Sequence, residues 1–332
     1  MNEPLAVGCV GIGWWSDVLA DAMQRSGQLK IAACFSRSQD KRTKFAAKYG
    51  CRAAASYEAM LADRAIAAIV NTTPNGAHLE TTRAAAAAGK HVFLDKPIAN
   101  TIADARAITQ ACRDAKVVLA LGYQRRRESQ FRWIRRAVDE GGFGRLVNAE
   151  ANISRDRLGQ IDLSSWRHTA QGMPGGVMLQ IGIHYTDVLE YLMGPVRAVS
   201  AQAVRLVLPG DNPDVASLLL EHHSGALSTL NASYASASEY YAMNVYGKEA
   251  SAYYDLHQGL RHLRRGDRAP QSVACAKNDP IVEQLEEFAR SVRGECEPEM
   301  DGERGTASLA VVLAGIRAAR EGRRVEVKET LP

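Results

Sequence analysis

The feature that most constrains this 332-residue chain is an alternation confined to its first 123 residues. Short, uniformly apolar runs at 5–10, 29–35, 65–73, 91–94 and 117–121 are separated by helical patterns at 17–25, 39–48, 57–62, 77–88 and 102–115. A strand with no polar face cannot lie against water, so these runs predict a parallel sheet covered by helices on both sides. Gly27, Gly50 and Gly89 follow three of the helical patterns, where a left-handed residue closes a helix.

After Tyr123 the pattern changes. An amphipathic helix at 128–140 is followed by alternating runs at 145–153, 196–208, 215–222, 226–235, 240–246 and 251–256, with turn segments at 209–214 and 222–225. Alternation of period two predicts an antiparallel sheet with one face open. A helix at 177–193 interrupts it, and helices at 281–292 and 303–320 close the chain. The expected fold class is an α/β domain with a covered parallel sheet, followed by an α+β domain with a large, mostly antiparallel, open-faced sheet.

Composition narrows the partners. Apolar residues are 46%, charged residues 23% and the net charge is +4, values of an ordinary globular chain with no call for nucleic acid or a membrane surface. No apolar run approaches the roughly 18 residues of a membrane span, and the N-terminus lacks the basic start of an export signal. The six cysteines, at 9, 34, 51, 112, 275 and 296, form no CxxC pair. They read as reduced packing residues of a cytoplasmic protein, and His222–His223 lacks the further ligands of a metal site.

Gly11-Ile12-Gly13-Trp14-Trp15-Ser16 stands between the first strand and the first helix. Glycines there allow a tight turn and let backbone N–H groups approach a pyrophosphate. Ser16 is small enough for close helix packing, and Trp14 and Trp15 flank the site as packing or shielding residues. The second strand runs into Ser36-Arg37, with Lys41 and Arg42 close behind. An acidic residue here would grip the ribose 2′-hydroxyl of NAD; a hydroxyl and a guanidinium suit the 2′-phosphate of NADP instead. NADP is the expected cofactor, with NAD possible.

Further motifs follow in order: Thr73-Pro74-Asn75 with His78, Gly89-Lys90-His91-Val92, Asp95-Lys96-Pro97, Gly122-Tyr123-Gln124-Arg125-Arg126, Trp166-Arg167, and Gly175-Gly176 leading to Gly182-x-His184-x-x-Asp187. In this order and spacing the chain resembles the Gfo/Idh/MocA oxidoreductases along nearly its whole length. The resemblance implies an NAD(P)-dependent enzyme that moves a hydride to or from a hydroxyl or ketone of a sugar-like or alicyclic substrate. It implies a homodimer or homotetramer packed through the antiparallel sheet. It also implies domains at 1–123 and 124–300, with a C-terminal helix and strand at 301–332 whose helix returns to the first domain. Gly11, Gly13, Trp14, Trp15, Ser36, Arg37, Thr73, Asn75, His78, Asp95, Lys96, Gln124 and Trp166 become the expected cofactor residues. Lys96 would contact both the nicotinamide ribose and the substrate.

The helix after Gly175 carries Gln180, His184, Asp187 and Tyr191, whose spacings of 4, 3 and 4 place them on one helical face. An imidazole beside a carboxylate suits proton exchange near neutral pH. His184 is expected to exchange the substrate proton and Lys96 to stabilise charge on the reacting oxygen, the two converging on one pocket. Gln180 stands where the family has an aspartate, and Asp-Lys-Pro where it has Glu-Lys-Pro. An amide cannot take a proton, so Gln180 is expected to orient the substrate or His184, and Asp187 to fix the imidazole. The competing reading is a non-catalytic dinucleotide-binding regulator or sensor. Arg125, Arg126, Arg127, Arg132, Arg135 and Arg136 read as solvated or paired, with Arg126 or Arg125 a candidate for an acidic substrate group.

Overall fold

The computed structural model describes residues 3–331. They fall into two compact units: one runs through Gln124 and takes in Asp279–Thr306, the other comprises Arg125–Asn278 and the residues from Ala307 onward.

The first unit contains, in order, β1 (Leu5–Val10), α1 (Trp14–Ser26), β2 (Leu29–Phe35), α2 (Gln39–Tyr49), β3 (Arg52–Ala53), α3 (Tyr57–Leu61), β4 (Ala68–Asn71), α4 (His78–Ala87), β5 (His91–Asp95), α5 (Ile102–Asp114) and β6 (Leu119–Gly122). The six strands are parallel in the order β3-β2-β1-β4-β5-β6. This is the doubly wound order that binds dinucleotides where the strand sequence reverses, here between β1 and β4. β4 is shorter than the apolar run that contains it, because the Asp63 carboxylate accepts from the Ala65 N–H at 2.9 Å and holds the first residues in a turn. β3 is a short, exposed strand with no apolar signal.

The second unit opens with α6 (Ser129–Asp139) and β7 (Leu146–Asp156). A π turn at Met178–Gly182 leads directly into α7 (Ile183–Met193). Then come β8 (Val196–Val204), β9 (Val215–His222), β10 (Leu227–Ser233), β11 (Ala235–Gly247), β12 (Ala250–Asp255), β13 (Gly259–Arg264) and β14 (Gln271–Ser272). After α8 (Pro280–Val292) and α9 (Gly302–Glu321), β15 (Val325–Glu326) completes a nine-stranded sheet ordered β14-β13-β12-β11-β7-β10-β9-β8-β15. Every pairing is antiparallel except β10 with β7. β14, at the sheet edge, pairs only with Arg261 and His262 of β13.

α7 lies against β7 and β10 on one face of this sheet. The other face is uncovered and carries Leu219 and Leu227, 40% and 44% exposed, among Glu150, Thr229 and Asn231. α8 belongs with the first unit, not the second. Its Leu285, Phe288 and Ala289 join Val7, Cys9, Leu19 and Met23 in one core, with the Phe288 ring 5.8 Å from that of Phe93. Of the closing helix α9, only the first turn belongs to that unit.

Candidate active site

The turn after β1 is built for close approach. Gly11 has φ 84°, and a Cβ there would sit 2.3 Å from the Thr73 nitrogen, so only glycine fits. Thr72 fastens the same crossing by donating its hydroxyl to the Gly11 carbonyl at 3.0 Å. Gly13 is the N-cap of α1 and lies in the open, with no atom within 4 Å of where a Cβ would be. α2, α3, α5 and α8 each have a Ser, Thr or Asp side chain that accepts from their first-turn N–H groups. α1, like α4, α6 and α7, has no such side-chain cap, and of these it alone follows the Gly11–Gly13 turn. Its N–H groups therefore meet open space at the positive end of a helix, the arrangement that receives a pyrophosphate.

Around this turn the expected cofactor residues take distinct positions. Trp14 is 60% exposed and meets the Trp15 ring edge-on, with centroids 5.3 Å apart. Trp15 donates its indole N–H to Asp95 Oδ1 at 3.0 Å. Asp95 ends β5, and the Lys96–Pro97 peptide that follows is cis. Thr73 bonds Asn71, and Asn75 donates its amide to Asn100 at 2.9 Å. His78 is buried: one ring nitrogen lies 2.9 Å from the Thr73 carbonyl and the other 3.0 Å from that of Pro97. It clamps the loops after β4 and β5 together instead of presenting an edge to a ligand. Burial pushes its pKa down to about 4. The side-chain oxygen of Gln124 is buried without a hydrogen bond among the described residues, an acceptor that a ligand amide could meet.

At the end of β2 the Ser36 Oγ accepts from the Ser38 N–H at 3.4 Å, which shapes the bend. Arg37 is exposed and makes no hydrogen bond or ion pair among the described residues. Arg42, by contrast, lies over the Phe35 ring at 5.3 Å and donates to the Ala55 carbonyl.

In the second unit His184 and Asp187 are buried on α7. The π turn closes between the Ile183 N–H and the Met178 carbonyl, so Gln180 lies in a wide turn before α7 begins. His184, Asp187 and Tyr191 keep α-helical spacing on α7, and Gln180 precedes them within the π turn. Asp187 receives both arms of Arg126: Nε at 3.0 Å on Oδ2, and Nη2 on Oδ1. This bidentate pair is 11% exposed on the arginine side and 1% on the aspartate. Arg126, a sequence candidate for an acidic substrate group, is paired with Asp187 within the unit. Its guanidinium also lies 5.1 Å from the Tyr191 ring, which Arg132 and Arg135 flank. Arg125 pairs with Glu128 at 2.7 Å. Burial raises the neighbouring Glu190 carboxyl to about 7, a group that sequence reasoning did not single out. Trp166 lies in a short 3-10 turn with the Arg167 guanidinium 4.5 Å above its ring.

Among the described residues no group of His, Cys, Asp and Glu side chains could hold a metal ion, and no helix is long and apolar enough to cross a membrane. A doubly wound sheet with an uncapped helix N-terminus at its reversal point is the arrangement of a dinucleotide-binding domain. Comparison with known proteins agrees. Residues 5–123 match the family model for the oxidoreductase family with an NAD-binding Rossmann fold, and residues 131–253 match the GFO/IDH/MocA C-terminal domain. The chain is 28% identical over 311 residues to 1,5-anhydro-D-fructose reductase of Ensifer adhaerens, covering 91% of this chain and 92% of that protein. It is 30% identical to D-apiose dehydrogenase of Paraburkholderia graminis, over 78% of this chain and 72% of the relative. A solved structure from Desulfitobacterium hafniense, described as an NADPH-dependent oxidoreductase, superposes with a TM-score of 0.95 at 30% identity over the whole of both chains. The chain belongs to the Gfo/Idh/MocA family and is an NAD(P)-dependent oxidoreductase; a purely regulatory role is not favoured.

Proposed function

We propose that this protein transfers a hydride between NADP(H) and a secondary hydroxyl or ketone of a sugar-like or alicyclic substrate. The observation that carries the reading is the uncapped N-terminus of α1 over the Gly11–Gly13 turn, in the same unit as Lys96. The dinucleotide, once bound, supplies or accepts the hydride at its nicotinamide ring. Gly11, Gly13 and the first turn of α1 hold its pyrophosphate, with Trp14 beside them. Ser36 and Arg37 hold the 2′-phosphate, a preference supported by the exposed, unengaged Arg37. Thr73, Asn75, Asp95 and Gln124 shape the nicotinamide end, and Trp166 is a further cofactor residue. His78 acts by holding two of those loops.

Lys96 stabilises charge on the reacting oxygen. His184 exchanges the proton. Asp187 acts with Arg126 as the fixed frame of α7, and Gln180 orients substrate without titrating. Residues 1–123 serve as the dinucleotide domain and the second unit selects the substrate. The uncovered face of the nine-stranded sheet, with Leu219 and Leu227 exposed, suits a homodimer or homotetramer. The free thiols suit a reducing cytoplasm. The test is turnover of NADP(H) and NAD(H) with a panel of cyclic alcohols, aldoses and the matching ketones. Tight cofactor binding with no turnover of any member would return the protein to the regulator reading.

A further inference from the structure

One cavity in the second unit is lined with hydrogen-bond donors. Arg167, His168, Gln180, Asn212, Asp214 and Tyr234 contribute to its wall. Asp214 is the one carboxylate in that wall among the described residues, and its oxygens are already occupied. They accept from the backbone N–H groups of Leu206, Val207 and Leu208 at 2.9, 2.8 and 2.7 Å. The Asn212 Nδ2 is buried and has no acceptor among the described residues. A guanidinium and two carboxamides bring only N–H donors on their nitrogen atoms. A buried donor without an acceptor costs roughly 1–3 kcal/mol, so the wall is incomplete until an acceptor arrives.

Arginines and the carboxylates Asp162, Asp214 and Glu239 stand around this wall. Burial raises the Tyr234 phenol pKa, while Arg155, Arg157 and Arg167 all pull it down, so three positive charges act on this one wall residue. His168 is lowered by burial and then by Arg157 and Arg167, against the opposing pull of Asp162. Arg155 is anchored on the Tyr241 hydroxyl at 2.9 Å and Arg157 on Gln160 at 2.8 Å, so both are held in place. The cavity holds about 20 Å³. A single water needs about 10–15 Å³, so the enclosed part has room for one small polar group.

We infer that this cavity is a carboxylate subsite and that the substrate is a sugar acid or a carboxylated cyclic polyol, read through Arg167 and Asn212. The inference rests on the oxidoreductase reading above, because Gln180 in the wall joins the subsite to the segment that leads into His184. A carboxylate entering there accepts from the Asn212 amide and the Arg167 guanidinium, contacts of the charge-assisted kind.

The test uses the full chain with NADP(H) and matched pairs that differ only in the carboxylate: D-glucuronate and D-glucose, D-galacturonate and D-galactose, D-gluconate and D-sorbitol. The acid of a pair should be preferred in kcat/KM by at least about 10-fold. Asn212→Asp, which keeps the shape and adds a like charge, should abolish that preference and leave the neutral partner within about twofold. Arg167→Met should also remove it. Equal or better turnover of the neutral partners by the wild type, or an acid preference that survives both substitutions, overturns the carboxylate subsite and leaves the oxidoreductase reading intact. Intact cofactor binding with no turnover of any pair overturns both.

Discussion

The indole Nε1 of Trp15 donates to Asp95 Oδ1 at 3.0 Å, joining residues 80 positions apart in sequence. Trp15 is in the first turn of α1, which faces the phosphate-binding turn, and Asp95 is the residue before Lys96. The bond therefore ties the anchor of the cofactor to the residue proposed to act at the reacting oxygen. Trp15→Phe keeps the ring and removes the donor. A hydrogen bond to a charged group contributes about 1.5–3 kcal/mol, so the variant should lose about that much stability in urea titration. It should also lose about 10-fold in kcat/KM. An unchanged rate at reduced stability would show that the link is structural only.

Arg37 is the clearest test of cofactor choice. It is exposed and unengaged among the described residues, so Arg37→Ala should leave unfolding within about 0.5 kcal/mol of wild type. The dissociation constant for NADPH should rise at least about 10-fold while that for NADH stays level. Fluorescence titration with both cofactors decides it, and parallel losses for the two would mean that Arg37 does not read the 2′-phosphate.

Lys96→Ala and His184→Ala should each lower turnover by about 10²-fold or more, the range of a positioned acid–base or electrostatic group. If both act on one reacting oxygen, the double variant should fall much less than the product of the two. Gln180→Ala should fall less than either. Strictly multiplicative losses would place the two groups in separate steps.

The Arg126–Asp187 pair is buried, so Asp187→Asn strands a guanidinium and should cost about 3–5 kcal/mol in chemical denaturation. Adding Arg126→Met removes the stranded charge and should restore part of that loss. A single variant as stable as wild type would mean that water reaches the pair.

His78 sets a pH dependence. Its folded pKa is depressed to about 4 by burial, against about 6.5 when unfolded, so the folded state binds fewer protons between those values. The contribution is fully present above pH 6.5 and is lost as the pH falls through that window, by about 3 kcal/mol in all. Urea midpoints across this range should fall for wild type and should fall less for His78→Gln. Equal slopes would assign the acid sensitivity to other groups.

The first unit was largely legible because its signals are local. Uniformly apolar strands name a covered parallel sheet, and Gly27 and Gly50, at φ 68° and 64°, end α1 and α2 as expected. What stayed hidden was set by tertiary contacts. β3 is two exposed residues carried by its neighbour β2. The start of β11, through Ala235–Glu239, is polar and shifts register before Tyr240, so alternation does not reveal it. Period two also says nothing of direction, and the parallel pairing of β10 with β7 could not be read from it. At the candidate site, the partner of Asp187 is 61 residues away, and no helical spacing points to Arg126.

The wide turn at Met178–Gly182 sets the bearing of the residues that precede His184. A ring closed from Ile183 back to Met178 holds one residue more than an α turn. Each residue of an α-helix turns the chain by about 100°. Deleting one residue here would therefore swing Gln180 and everything before it about that far around the axis relative to His184. The shortened protein should be less heat-resistant, because Met178, Leu179 and Ile181, all buried, would be turned out of their packing. Its preference among substrates should change as well. The length of the chain at this one point thus fixes what faces His184, with no side chain exchanged.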